Sequence, residues 1–188
     1  MLHLSPFLTV YCCALAALLG ACGATGAISV GADEEHVNRM REFGNNLGVA
    51  FQIKDDILDY SPMEVTGKPT GGDMRERKIT LPLLYVLEQS TPAERDLLLA
   101  KLSDVRNSPD HVEYLCRAVE RGGGLDHARQ CMAEYRDKAL AFLEGYPDSD
   151  VLHSLRLFAD FRQPEGTPPL GSDAYVLFDD IQIGKAGR

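Results

Sequence analysis

Helix start and stop signals recur between residues 33 and 162, and they constrain the fold more than any other feature of the chain. Thr91-Pro92-Ala93-Glu94 has a capping Thr, Pro at the first helical position and Glu three residues after the cap. Ser108-Pro109 opens the next helical pattern, and Gly122-Gly123-Gly124 ends it. The range lacks the apolar–polar alternation of half-buried strands, so the sequence predicts an all-α fold.

The helical pattern ends near residue 162. A long helix is predicted before it, closed by Pro147. Its apolar residues recur in steps of four and three, as a packing face does: Ala128, Met132, Tyr135, Ala139, Phe142 and Tyr146. A shorter amphipathic helix is predicted from about Leu152 to Phe161. Residues 163–188 contain three prolines and four glycines and lose this period. We therefore expect a helical domain, residues 1–162, and an irregular tail of unassigned role, residues 163–188.

The longest apolar stretch covers residues 7–28 and allows two interpretations. Leu19-Gly20-Ala21-Cys22 is similar to the cleavage site of a bacterial lipoprotein, which would make the chain exported and lipid-anchored. However, residues 1–6 contain no Lys or Arg, and a signal peptide needs a positively charged start. Three glycines within the stretch also disfavour a membrane span. We expect a cytoplasmic chain with no stable membrane insertion, and a core helix from Phe7 to about Leu19 that the glycines end.

The net charge is −9, from 19 Lys and Arg against 28 Asp and Glu. This charge argues against broad electrostatic attraction to nucleic acid or to an anionic membrane. A phosphate-bearing ligand would need local neutralisation by metal ions or by a few well-placed lysines.

Three aspartates stand in the second half of a mostly apolar helical segment, residues 44–60. On a helix, the Cβ atoms of Asp55 and Asp59 are about 5–6 Å apart, and Gln52 lies one turn earlier. Partly desolvated like charges, Asp56 among them, need either a raised pKa or a bound cation. Oxygen ligands favour Mg²⁺ or Ca²⁺ over zinc, and a sparse ligand set favours Mg²⁺ that bridges to a substrate phosphate. The alternative is a solvated acidic helix end.

A glycine-rich segment, residues 66–83, follows the aspartates and carries two lysines. Lys68, Asp73 and Lys78 precede a helix that is predicted to begin near Thr80. Because Lys provides a point charge for phosphate, two lysines beside an acidic metal site suit a diphosphate. Lys68 is followed by Pro, and the segment lacks the glycine spacing of a nucleotide-binding P-loop. The alternative is that both lysines are solvated loop charges.

Two motifs in this order resemble the trans-isoprenyl (polyprenyl) diphosphate synthases. FQIKDDILDY, residues 51–60, is similar to the second aspartate-rich motif of that family. TGKPTGGDMRERKITLPLLYVL, residues 66–87, is similar to the segment that follows it, and the resemblance extends over residues 8–162. The family fold is an all-α bundle around a central cavity. The resemblance therefore implies the C-terminal part of an isoprenoid-synthase helical bundle, followed by an irregular tail.

The resemblance also assigns roles to individual residues. It implies that Asp55 binds Mg²⁺ directly, with Asp56 and Asp59 in or just behind the metal shell. Lys68 and Lys78 become the candidate catalytic residues, because they and Mg²⁺ would neutralise the charge on the departing diphosphate. The side chains implied to hold the allylic diphosphate or its metals are those of Gln52, Lys68, Asp73 and Lys78.

The family reaction is the head-to-tail condensation of an allylic diphosphate with isopentenyl diphosphate. The first aspartate-rich motif and the basic isopentenyl diphosphate site of the family lie upstream of the part that this sequence resembles. Asp179-Asp180 stand in the tail and do not replace that motif, and Leu4-Ser5 replace a Lys-Thr pair of the family. We therefore expect a truncated, impaired synthase that forms a homodimer or associates with a full-length synthase. The alternative is a non-catalytic partner subunit of a full-length synthase.

Overall fold

The computed structural model describes residues 6–62 and 69–160, with side chains from residue 14 onward. These residues form eight α-helices and no strand, which confirms the predicted all-α fold. The predicted tail, residues 163–188, and its boundary lie outside the described residues. The helices are α1 (Pro6–Ser29), α2 (Glu34–Leu58), α3 (Gly72–Arg75), α4 (Leu81–Gln89), α5 (Pro92–Ser103), α6 (Asp110–Arg121), α7 (Gly124–Ala141) and α8 (Asp150–Asp160).

α1 and α2 form a hairpin in which the two backbones approach closely. Glycines make this approach possible, since a methyl group on either side of the crossing would meet backbone atoms. A Cβ atom added at Gly44 would lie 2.2 Å from the carbonyl oxygen of Leu19, and one at Gly48 would lie 2.5 Å from the Cα of Ala16. The crossing therefore has no room for a larger residue at these two positions.

The predicted end of the first helix near Leu19 is wrong, because α1 continues through the glycines to Ser29. Glycine weakens an isolated helix, but here tertiary packing outweighs that preference. Gly23 lies against α2, where an added Cβ atom would come within 2.3 Å of the carbonyl oxygen of Met40. The helix stops instead just before Gly31, whose φ of +73° belongs to the left-handed region that commonly follows helix ends.

α2 lies at the centre of the bundle, with α1 and α7 packed against it. α4 joins it there, and the shared cluster contains Ile53, Leu81, Leu84 and Ala128. A second apolar cluster lies between α4, α5 and α6, and its fully buried members include Leu83 and Leu115. The C-terminal end of α2 therefore meets the N-terminal end of α4 beside a packed core.

The predicted helix punctuation is largely confirmed. Thr91 and Glu94 form a complete capping box at the start of α5. Gly122 follows the last residue of α6, as expected. The sequence predicts a helical packing face as far as Tyr146, but α7 ends at Ala141 and turns follow it. Within the described ranges, no helix is both long enough and apolar enough to cross a membrane.

Candidate functional site

The three aspartates at the end of α2 occupy different environments. Asp55 is exposed to solvent, whereas Asp56 is buried with only 3% of its surface exposed. Asp59 is half-buried and is the residue that caps the C-terminus of α2, its backbone N–H donating to the carbonyl oxygen of Asp55. The three aspartates look equivalent in the motif, but they differ in their exposure to solvent.

Both carboxylate oxygens of Asp56 accept hydrogen bonds. One accepts from Nε2 of Gln52 at 3.2 Å, and the other accepts from the backbone N–H of Leu81 at 3.2 Å. Burial raises the pKa of Asp56 to about 6, the two hydrogen bonds oppose this rise, and the charges of Asp73 and Asp55 add to it. Gln52 is thus confirmed as a neighbour of the aspartates, but the structure pairs it with Asp56.

Asp59 holds the glycine-rich segment against the end of α2. Its side chain accepts a hydrogen bond from the backbone N–H of Asp73 at 3.1 Å, and its carbonyl oxygen accepts one from Gly71 at 2.8 Å. Gly71 has a φ of +77°, so this turn suits glycine. Burial raises the pKa of Asp59, and the nearby charge of Asp73 raises it further.

Asp73 and Lys78 form the charged edge of the site. Nζ of Lys78 lies 3.0 Å from Oδ1 of Asp73 and 2.9 Å from Oε2 of Glu76, and the two carboxylates raise the pKa of this lysine. The backbone N–H of Lys78 also donates to the carbonyl oxygen of Asp73 at 2.9 Å. Arg77, between them in the chain, has a φ of +61°, which is unusual for a residue with a side chain. The ammonium group is therefore kept charged and close to the acidic cluster.

Two residues that were not predicted as site residues join the start of α4 to the end of α2. Thr80 is buried, and its hydroxyl lies 3.0 Å from the hydroxyl of Tyr60 at the end of α2. Burial of Tyr60 raises the pKa of its phenol. Thr80 carries a sequence signal, because Thr before Leu-Pro is typical of a helix start. Tyr60 carries none, since its partner is 20 residues away. Glu76 was also missed as a partner of Lys78.

The donor set of this site fits an open magnesium site better than a closed one. In the parts of the chain that the structure describes, no three Asp, Glu, His or Cys side chains are placed to hold a metal ion by themselves. Asp55 and Asp73 are nevertheless both near enough to Asp56 and Asp59 for their charges to raise those pKa values. Such a sparse set of oxygen donors suits Mg²⁺, which keeps several waters and binds substrate phosphates. Lys68 lies outside the described residues.

Comparison with known protein families agrees with the resemblance seen in the sequence motifs. The family model described as polyprenyl synthetase matches residues 7–119. The heptaprenyl diphosphate synthase component 2 of Geobacillus stearothermophilus is 34% identical over 144 residues, which are 75% of this chain and 43% of that protein. The octaprenyl diphosphate synthase of Escherichia coli K12 is 34% identical over 135 residues, which are 71% of this chain and 42% of that protein. The chain thus spans less than half the length of these relatives.

Solved structures agree with the sequence relatives. A polyprenyl synthase from Caulobacter crescentus CB15, complexed with calcium and isoprenyl diphosphate, has a TM-score of 0.73 at 35% identity, covering 85% of this chain and 49% of that one. A geranylgeranyl pyrophosphate synthase from Bacteroides thetaiotaomicron has a TM-score of 0.71 at 37% identity, covering 78% and 48%. The fold is that of the isoprenoid-synthase helical bundle, of which this chain matches about half. With the family match and the similar folds taken together, this chain belongs to the polyprenyl synthetase family.

Proposed function

We propose that this chain supplies half of a Mg²⁺-dependent prenyl diphosphate site and acts in prenyl transfer. One observation carries the proposal: the segment after α2 folds back so that the backbone of Asp73 contacts Asp59, Asp55 lies near Asp59, and Lys78 pairs with Asp73. Carboxylates near a lysine provide metal ligands and a phosphate contact at the same place. The family membership and the calcium and isoprenyl diphosphate complex of the Caulobacter relative support the same ligand class.

In the proposed site, the exposed carboxylate of Asp55 is available to Mg²⁺, and Asp59 and Asp73 lie near it. Lys78, together with Lys68, would contact the diphosphate oxygens. Bound Mg²⁺ would supply positive charge that stabilises the departing diphosphate. The allylic C–O bond breaks, a carbon–carbon bond forms with isopentenyl diphosphate, and one proton is lost. Lys78 suits its role because its two carboxylate neighbours keep the ammonium protonated.

We further propose that the 188-residue chain is impaired in chain elongation by itself. The D-D-x-x-D pattern occurs once in the sequence, at Asp55, Asp56 and Asp59, because the tail pair Asp179-Asp180 has Ile183 at the third position. The curated relatives described above are more than twice as long as the segments that match them. A second set of metal ligands would therefore have to come from residues outside these 188.

Titration calorimetry with inorganic diphosphate and Mg²⁺ tests the ligand class. We expect weak, Mg²⁺-dependent binding to the wild type and loss of binding in Asp55→Ala, because the exposed metal-facing carboxylate is removed. Asp96→Ala is the matched control, since Asp96 is an exposed aspartate on α5. Wild-type protein without measurable binding contradicts the proposal. Efficient condensation of allylic and isopentenyl diphosphates by the purified chain, abolished in Asp55→Ala, contradicts the impairment.

A second candidate function is that of a non-catalytic partner subunit. α1 is apolar yet packs chiefly against α2, and Leu18 and Ile28 are each about 60% exposed. Helices that are apolar on all sides are normally buried, which favours association with another chain. Component 2 in the name of the Geobacillus relative is consistent with a multi-component enzyme. Co-purification with a full-length prenyl synthase would support this function. A homodimer would instead support self-association, and a monomer in sizing experiments counts against both kinds of association. The cytoplasmic location stays a prediction.

A further inference from the structure

The N-terminus of α4 is not capped by its own side chain. Thr80 is the N-cap residue and has extended backbone angles, φ −83° and ψ 166°, but its side chain accepts no hydrogen bond from the helix. Its hydroxyl pairs with Tyr60 instead, at 3.0 Å. The first N–H groups of a helix have no partners within the helix, so a buried helix start needs acceptors from elsewhere.

Asp56 supplies such an acceptor from a different helix. Its Oδ2 accepts from the backbone N–H of Leu81, the first residue of α4, across 25 positions of sequence. Asp56 and Leu81 are 3% and 5% exposed, so water cannot readily replace the bond. A carboxylate at this place also interacts favourably with the positive end of the helix dipole.

The second oxygen of Asp56 is used as well, since it accepts from Gln52. Asp55, the adjacent residue, is exposed, and within residues 14–62 and 69–160 its carboxylate has no such pair of donors. The two neighbouring aspartates therefore differ in what they offer a metal ion. Asp55 is exposed to solvent, while the two oxygens of Asp56 accept hydrogen bonds from Gln52 of α2 and Leu81 of α4.

This arrangement also fixes the position of Lys78. Lys78 stands three residues before Leu81, and its backbone N–H is held by the carbonyl oxygen of Asp73. The hydrogen bonds of Asp56 and Tyr60 anchor the other end of this short segment to α2. The distance between Asp55 and the Lys78 ammonium group thus depends on both anchors.

We infer that Asp56 is a positioning residue that caps α4 from α2 and so places Lys78 relative to Asp55, without itself binding the metal. The inference rests on the proposed function for the ligand, but it concerns a different property of the motif. A cap needs a hydrogen-bond acceptor, and a Mg²⁺ ligand at this site needs a negative charge. Replacement of Asp by Asn separates the two requirements, because the amide oxygen still accepts from Leu81 and Gln52 can rotate its own amide.

The experiment compares Asp56→Asn, Asp56→Leu and Asp55→Asn with the wild type in two measurements. The first is hydrogen exchange of the Leu81 amide, and the second is calorimetric affinity for inorganic diphosphate with Mg²⁺. We expect Asp56→Asn to keep both within about threefold. We expect Asp56→Leu to lose amide protection and about tenfold or more in affinity, as supporting side chains of metal sites typically do. Asp55→Asn should lose a similar affinity while the Leu81 amide stays protected.

The outcomes distinguish a failure of this inference from a failure of the proposed function. If Asp56→Asn loses as much affinity as Asp55→Asn, its charge is required and the inference is overturned, while diphosphate binding stands. A folded Asp56→Leu protein with wild-type affinity overturns it too, because the cap is then only structural. If Asp56→Leu does not fold, the comparison of the two Asn variants still decides. Absence of diphosphate binding in the wild type overturns both the inference and the proposed function.

Discussion

The carboxylate of Asp59 accepts a hydrogen bond from the backbone N–H of Asp73, 14 residues further along the chain. This contact joins the last residue of the aspartate-rich motif to the acidic residue of the following segment. Because a backbone group is the donor, the contact fixes the path of the chain rather than the identity of the side chain at position 73.

Removal of the Asp59 carboxylate should therefore loosen the turn at Gly71. We expect Asp59→Ala to lower the free energy of unfolding by about 1–2 kcal/mol, since the N–H of Asp73 loses its acceptor in a half-buried place. Asp59→Asn keeps one acceptor oxygen and should lose less. Urea unfolding of the three proteins measures the difference, and equal stability of wild type and Asp59→Ala would contradict the assigned contact.

The stability of the metal-free chain should depend on the protonation of Asp56. Its pKa in the folded chain is about 6, against 3.8 for an ordinary Asp, so the folded state binds this proton more tightly than the unfolded state. The stabilising contribution is complete below about pH 4 and is lost as the pH rises through about 6. We expect the wild type to lose up to about 3 kcal/mol over this window relative to Asp56→Asn. Urea unfolding of both proteins across the window checks this, and a constant difference between them would count against it.

Substitutions at glycines of the α1–α2 hairpin should depend on the room around each one. An added Cβ atom at Gly44 meets three backbone atoms within 2.7 Å, whereas one at Gly26 meets nothing within 4 Å. We expect Gly44→Ala to destabilise the chain by about 3 kcal/mol or more, as overpacking of a rigid contact does. Gly26→Ala lies in the same helix pair and should stabilise it by about 0.5–1 kcal/mol. Thermal unfolding of the two variants should change in opposite directions, and a shared sign would rule out the close crossing.

Replacement by glycine should be tolerated better at Arg77 than at Arg75. Its φ of +61° costs a residue with a side chain about 1 kcal/mol, and glycine adopts this angle freely. We expect Arg77→Gly to be neutral or to stabilise the chain by up to about 1 kcal/mol. Arg75→Gly is the matched control, since Arg75 is helical and glycine should destabilise it by about 1 kcal/mol. Chemical denaturation ranks the two, and the reverse order would refute the strained angle.

Local patterns predicted much of the fold and the position of the site. The capping box at Thr91 follows from side chains within three residues, so the local sequence is enough to predict it. Gln52 and Asp56 likewise lie one helical turn apart, and their hydrogen bond follows from that spacing.

The remaining features depend on distant contacts. Asp55 and Asp56 look alike in the sequence, and only the packing of α4 buries one and leaves the other exposed. The continuation of α1 past Leu19 also depends on tertiary packing, because Gly23, one of the glycines that suggest a helix end, lies against the backbone of α2. The pairing of Tyr60 with Thr80 joins two helices and has no local signal.

The cap that Asp56 gives to Leu81 has a consequence for the order of assembly. The first turn of α4 cannot complete its hydrogen bonding until the end of α2 has formed and docked, since its acceptor lies 25 residues earlier. Closing that loop is a tertiary event, slower than local helix formation. We therefore expect the start of α4 to become fully hydrogen-bonded only after α2 has formed and docked against it.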